Sequence, residues 1–129
     1  MSIFSKIISK EIPAAVVAED EHFICFLDIA PLVRGHMLVV PKIEVDKIFD
    51  ASDEVLAKML VFAKPIAKAI EQVFDCKRCG ISVVGLEVPH AHMHLVPIQS
   101  ADDLNFTREK IIVSKEDLAK DLEKLKAAL

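Results

Sequence analysis

Three of the five histidines in this chain stand at alternate positions, His90, His92 and His94, in the run Val88-Pro89-His90-Ala91-His92-Met93-His94-Leu95-Val96-Pro97. Side chains on an extended backbone alternate between faces, so the three imidazoles fall in one row about 6.5 Å apart while Ala91, Met93 and Leu95 face the other way. That is the pattern of a strand with one side on a core and the other a working surface. Such a row suits two chemistries: imidazole ligates zinc, and as a neutral base it attacks electrophiles and carries protons near neutral pH. No Asp or Glu lies within the row to complete a hydrolytic metal set, which favours nucleophilic and acid–base work over a metal.

Three further groups are candidates. Asp28 follows Phe26 on the same strand face; it is either a strand-end turn residue bonded to nearby backbone or an acceptor for sugar hydroxyls of a ligand stacked on Phe26. His36 opens a second apolar strand, and a neighbouring histidine row makes it a relay partner. Cys76 and Cys79 have the spacing of half a zinc knuckle or a redox pair, but no second pair exists, so we read them as a chance pair.

The elements that must position these groups follow from periodicity. Ile3, Phe4, Ile7 and Ile8 share one helical face until Pro13 stops the helix. Ala15 to Ala18, Phe23 to Asp28, His36 to Pro41, Gly80 to Val84 and His90 to Pro97 read as strands, with loops from Ile29 to Gly35 and Gln99 to Asn105. Ser52 caps a long helix whose stripe is Leu56, Met59, Leu60, Ala63, Ala67, Ile70 and Val73, with a kink expected near Pro65. Ser114 and Asp117 open a last helix striped by Leu118, Leu122, Leu125 and Leu129.

A chain of 129 residues is expected to form one domain over 1–129. Its net charge of -4 argues against a nucleic-acid surface. No apolar run is long enough for a membrane span or secretory signal, and an odd count of three cysteines fits a reducing compartment, so the expectation is a cytoplasmic protein. At 53% hydrophobic residues, part of the apolar surface is expected to lie between subunits.

The histidine row, joined to Ile3-Phe4-Ser5-Lys6-Ile7-Ile8-Ser9-Lys10-Glu11-Ile12-Pro13, Phe26-Leu27-Asp28-Ile29 and Gly35-His36-Met37-Leu38-Val39-Val40-Pro41-Lys42, resembles the histidine triad, or HIT, family, in its nucleoside phosphoramidate-hydrolysing branch. The resemblance implies an α+β fold with a five-stranded antiparallel sheet, a long central helix and short terminal helices, paired in a homodimer. It implies a purine nucleotide-type substrate, a phosphoramidate or dinucleoside polyphosphate cleaved at the α-phosphate, and no cofactor or metal. Ile3, Phe4, Ile7, Phe26, Ile29 and Leu38 would wall the base pocket, and Asp28 would hold the ribose. His92 would attack phosphorus, His94 would contact phosphate and leaving group, and His90 and His36 would form the relay behind His92. Gly85 would offer a backbone donor.

The chain departs from the family pattern before the row, where Leu86 and Glu87 occupy the positions of a glutamine and a hydroxyl residue and the loop is short. A metal-binding cysteine pair near the start, found in some bacterial members, is absent. Pro89 must lie at a sheet edge or in a bulge. Two other readings follow from the same residues: a nucleotide-binding dimer with little catalysis, and a zinc enzyme.

Overall fold

A computed structural model describes residues 1–129. In chain order it contains α1 (Ile3–Ile8), β1 (Val16–Glu19), β2 (Phe23–Leu27), β3 (Met37–Pro41), α2 (Asp53–Val73), β4 (Arg78–Ser82), β5 (Met93–Ile98) and α3 (Lys115–Ala128). The strands form one antiparallel sheet in the order β1-β2-β3-β5-β4, so the α+β fold is as expected.

Strand alternation divides the sheet into two faces. Phe23, Cys25, Leu27, Met37, Val39, Met93 and Leu95 pack against Val55, Met59, Ala63, Ile66, Ala69 and Ile70 of α2 and Leu125 of α3. Ile24, Phe26, Leu38 and Val40, of opposite parity, pack against Phe4 and Ile7 of α1. The large helices thus cover one face, and the other carries only the short α1, leaving room for a site.

Several elements differ from expectation. α1 ends at Ile8, five residues before Pro13, because Lys10 takes a left-handed conformation at φ 69 and the amides of Glu11 and Ile12 turn back to the Lys6 carbonyl. The stripe of α2 is shifted to one side of the expected one: Met59, Ala63 and Ile70 are buried as expected, Val55, Ile66 and Ala69 join them, and Leu60 is 58% exposed. α2 also continues unbroken through Pro65. Pro65 is on the exposed side, where water can satisfy the carbonyl that lacks its N–H partner. In the expected loop from Gln99 to Asn105, residues Ala101–Leu104 form a 3-10 turn closed by a reciprocal Ser100–Asp103 cap. Of the leucine stripe on α3, Leu125 is fully buried, Leu118 and Leu122 pack partly on the core, and Leu129 is exposed.

The histidine run is extended only in its second half. β5 begins at Met93, so His94 lies in the strand while His90 and His92 precede it. Pro89 sits in the bend before the strand rather than at a sheet edge. There the His90 amide bonds back to the Val88 carbonyl, and the Ala91 amide donates to the Val45 carbonyl.

Candidate active site

The β2–β3 hairpin brings the first pair of groups together. Beyond the last paired residues, Leu27 and Met37, the Asp28 amide donates to the His36 carbonyl at 3.1 Å, so two residues eight apart in sequence face each other. The loop between them reverses through Gly35 at φ +91, a conformation open to glycine at little cost. Register then supplies the third group, because Leu38 pairs with His94. His36 Nε2 lies 2.9 Å from His94 Nδ1, and 3.8 Å from a carboxylate oxygen of Asp28.

Hydrogen-bond partners fix where each neutral imidazole holds its proton. The Leu32 amide donates to His36 Nδ1 at 3.0 Å, so the His36 proton is on Nε2, donated to His94 Nδ1. His94 therefore keeps its own proton on Nε2. A backbone carbonyl can only accept, so His92 Nδ1 carries a proton to the His90 carbonyl at 2.7 Å and its Nε2 is left as a free lone pair. The ring centroids of His92 and His94 are 4.9 Å apart, closer than a regular strand would place them. The site thus sets a nucleophilic nitrogen beside an N–H donor.

His90 has a different place from the one expected. Its ring does not meet His36: Nε2 donates to the Pro41 carbonyl at 2.8 Å and Nδ1 lies 2.8 Å from Ser2 Oγ, in full burial. Its contact with His92 in the hydrogen-bond network runs through its backbone carbonyl. Ser2 also caps α1 by accepting from the Ser5 amide, and Glu44 accepts from both the Ser2 amide and the Ser5 hydroxyl at 2.6 Å. Those two hydrogen bonds, Ser5 first, hold the Glu44 carboxyl down to about 2. Ser2 and Glu44 carry no sequence signal, because their link to His90 spans more than forty residues in either direction.

This network ties α1, whose Phe4 ring lies 4.9 Å from that of His92, to the backbone that orients His92. Replacing Ser2 by Ala should lower stability by about 1 kcal/mol through the lost cap. It should also lower turnover roughly tenfold by loosening His90, an effect of the size expected for one hydrogen bond. Denaturation and steady-state kinetics on Ser2→Ala and Ser2→Thr check this, with Thr restoring both; unchanged kinetics in Ser2→Ala would remove the positioning role.

A cleft of about 550 Å³ opens over the pair, lined by Asp28, His36, His92 and His94, by the Val84–Glu87 turn and by Ala30, Phe106, Thr107 and Lys110. Gly85 is on this wall in a positive-φ turn, as are Leu86 and Glu87. Phe4, Ile7, Phe26 and Leu38 form a buried cluster outside the cleft wall, while Ile3 and Ile29 are 51% and 78% exposed. Phe106 and Lys110 are additions that sequence reasoning missed. The Phe106 ring packs on His94 with centroids 4.5 Å apart and planes inclined at 57°, and its segment is irregular, with no periodicity to read.

Asp28 accepts from the Ala30 amide at 2.9 Å, so it is a strand-end turn residue and a cleft residue at once. Burial raises its carboxyl above the usual range, with the Ala30 amide opposing. Desolvation, aided by Lys110 and His92, pushes His36 down to about 4. Desolvation, with His36, His92 and Lys110, pushes His94 down to about 3. Both rings are neutral at pH 7.

An imidazole with a folded pKa below its ordinary 6.5 binds fewer protons when folded, so stability falls as pH drops from about 6.5 toward 4. Urea denaturation midpoints should decline between pH 7 and pH 5, above the ordinary carboxylate range, with the raised Asp28 carboxyl acting in the opposite sense, and decline less steeply in His36→Gln. A flat profile across that range would contradict the burial of neutral rings.

Asp28, His36 and His94 offer ligand atoms within 4.8 Å of one another, the geometry of a metal set. The hydrogen bonds do not fit His36 as a ligand in that set. A metal on His36 Nε2 would require the ring proton on Nδ1, where the Leu32 amide already points its own.

A sequence model described as the HIT domain matches residues 9–101, most of the chain. The chain belongs to the HIT domain family. Among its relatives, protein hit of Bacillus subtilis is 42% identical over 103 residues, covering 74% of this chain and 69% of that protein. Adenosine 5'-monophosphoramidase HNT1 of Saccharomyces cerevisiae is 38% identical over 96 residues, 74% of this chain and 61% of the yeast protein. The crystal structure of a HIT-like protein from Bartonella henselae, described as involved in cell-cycle regulation, superposes with a TM-score of 0.86 at 32% identity, over 99% of this chain and 96% of that one.

The HIT match contains His36, Asp28 and the whole histidine row. It leaves out Ser2, Phe4 and Ile7 at one end and Phe106 and Lys110 at the other. In this HIT domain the four clustered histidines and Asp28 lie inside the matched span, and part of the cleft and its support lies outside.

Proposed function

We propose that this chain is a hydrolase of nucleoside 5'-phosphate derivatives that works through a nucleotidyl-histidine at His92 without a metal. The observation that carries this reading is the His92 Nδ1 bond to the His90 carbonyl, which leaves Nε2 unprotonated and beside the His94 Nε2–H. His92 Nε2 attacks the α-phosphorus and the P–N or P–O bond to the leaving group breaks, the departing atom taking a proton from solvent while the His94 Nε2–H donates a hydrogen bond to the phosphate and the leaving group. Water then attacks the nucleotidyl-histidine, loses its proton to solvent, and releases a nucleoside 5'-monophosphate and the free His92 imidazole. Asp28 holds the ribose hydroxyls, and the base lies against the Phe4, Ile7, Phe26 and Leu38 side with Ile3 and Ile29 at its edge. Gly85 offers its amide to the phosphate.

The yeast relative's monophosphoramidase activity supports an adenosine phosphoramidate as the first substrate to try. Hydrolysis of adenosine 5'-phosphoramidate in chelator-treated buffer, with mass analysis of the His92 peptide after rapid acid quench, tests the reading. Turnover with an adenylylated peptide is expected; turnover only after zinc is added would overturn the metal-free route.

Glu87 on the cleft wall favours a second reading, a nucleotide-binding module with little catalysis, because a carboxylate there repels an anionic phosphate. Tight AMP binding without turnover in the same preparation would select it. A homodimer is supported by the exposed Leu60 and Val61 of α2 and by Ile81 on β4, a strand at the sheet edge. Light scattering after gel filtration decides between dimer and monomer. Three free cysteines support a cytoplasmic setting, and no helix is long and apolar enough to cross a membrane.

A further inference from the structure

Among the cleft's twelve lining residues, Lys110 is the only lysine or arginine, against the carboxylates of Asp28 and Glu87. An anionic phosphate held at His92 and His94 therefore has one side-chain cation to balance it, since both His36 and His94 are neutral at pH 7. We propose that Lys110 binds the phosphoryl oxygens of the nucleotide in this cleft. The inference rests on the nucleotide reading above and adds a residue outside the span matched by the family model.

The segment that carries Lys110 is built to present it. Arg108, two residues earlier, does not line the cleft and is occupied: it donates to the Asp102 carboxylate at 3.0 Å, to Asp103 at 3.2 Å and to the Leu32 carbonyl at 3.1 Å. The Ile111 amide donates to the Pro31 carbonyl at 2.9 Å, and Thr107 bonds twice to Asn105. These bonds fix both sides of Lys110 against the 28–36 loop, which holds Asp28 and His36.

Lys110 itself is left available. Its ammonium donates to the Phe106 carbonyl at 3.0 Å, lies 5.8 Å from the Phe106 ring centroid, and makes no salt bridge. An ammonium has three donors, so two remain for oxygens in the cleft. The Phe106 ring, packed at an angle on His94, thus holds this cation on the same cleft wall as that histidine.

A phosphate contact has a signature that a structural role lacks: it affects ligands with a phosphate and spares those without. Dissociation constants for AMP and adenosine, by calorimetry on wild type, Lys110→Gln and Lys110→Arg, provide the test. In Lys110→Gln, AMP affinity should fall about tenfold, the loss expected for one charged hydrogen bond, with adenosine unchanged; Lys110→Arg should keep most of it. Unchanged AMP affinity, or equal losses for AMP and adenosine, would overturn the role of Lys110 while leaving the nucleotide reading intact. Wild-type protein that binds neither ligand would overturn that reading and the Lys110 assignment with it.

Discussion

His92→Asn should reduce hydrolysis of adenosine 5'-phosphoramidate by about 10⁴-fold or more, the scale on which removing a covalent nucleophile acts in other enzymes. Asn retains an amide that can donate to the His90 carbonyl, so the local backbone keeps its partner while the attacking lone pair disappears. AMP binding should therefore change little, and the loss should fall on kcat. If instead the His92→Asn variant kept a tenth of the activity, His92 would not be the attacking group, and His94, the neighbouring ring in the cleft, would be the next to test. Running His94→Asn in parallel separates the roles: displacing the ring N–H that hydrogen-bonds the phosphate and leaving group should cost less than removing the nucleophile, and less still for substrates whose leaving groups depart readily as anions.

Gly35→Ala should be the most destabilising single methyl in the chain outside the helices and strands. A Cβ at Gly35 would lie 2.7–2.9 Å from the Phe74 ring, inside any real contact distance, at φ +91. Left-handed backbone and overpacking together should cost about 2–4 kcal/mol. Gly85 provides the control. It has φ +72 but nothing within 4 Å of its Cβ, so Gly85→Ala should cost only the backbone share, about 1–2 kcal/mol. Urea denaturation of both variants checks the difference. Equal losses would mean that Phe74 moves aside freely. Because Gly35 adjoins His36, the larger loss should also lower turnover, which ties hairpin geometry to chemistry.

The histidine row is legible in the sequence because period-2 alternation is a strong signal, and its apolar partners Met93 and Leu95 do face α2. The ends of that signal are not legible. The strand starts at Met93 because His90 is held by Ser2 and the Pro41 carbonyl, and Ala91 by Val45, which only the folded chain brings near. The phase of α2 differs at Leu60 because apolar side chains on this helix cover more than one stripe, and nothing in the sequence says which stripe meets the sheet. The partner of His36 is legible in kind but not in detail: register puts it against His94, whereas the resemblance joins it with His90. Phe106 and Lys110 lie in an irregular segment whose place depends on bonds to Pro31 and Leu32, more than seventy residues earlier.

Residues 1–8 and 102–129 flank the span that similarity marks as the domain, yet both flanks touch the histidines of the row. A chain trimmed to residues 9–101 would keep His36, His90, His92 and His94 and lose the Ser2 support, the Phe4 ring packed on His92 and the Phe106–Lys110 wall. Expression boundaries drawn from the family match would thus cut through the active site. The same division leaves the four histidines in the matched span dependent on end residues that the family match does not mark.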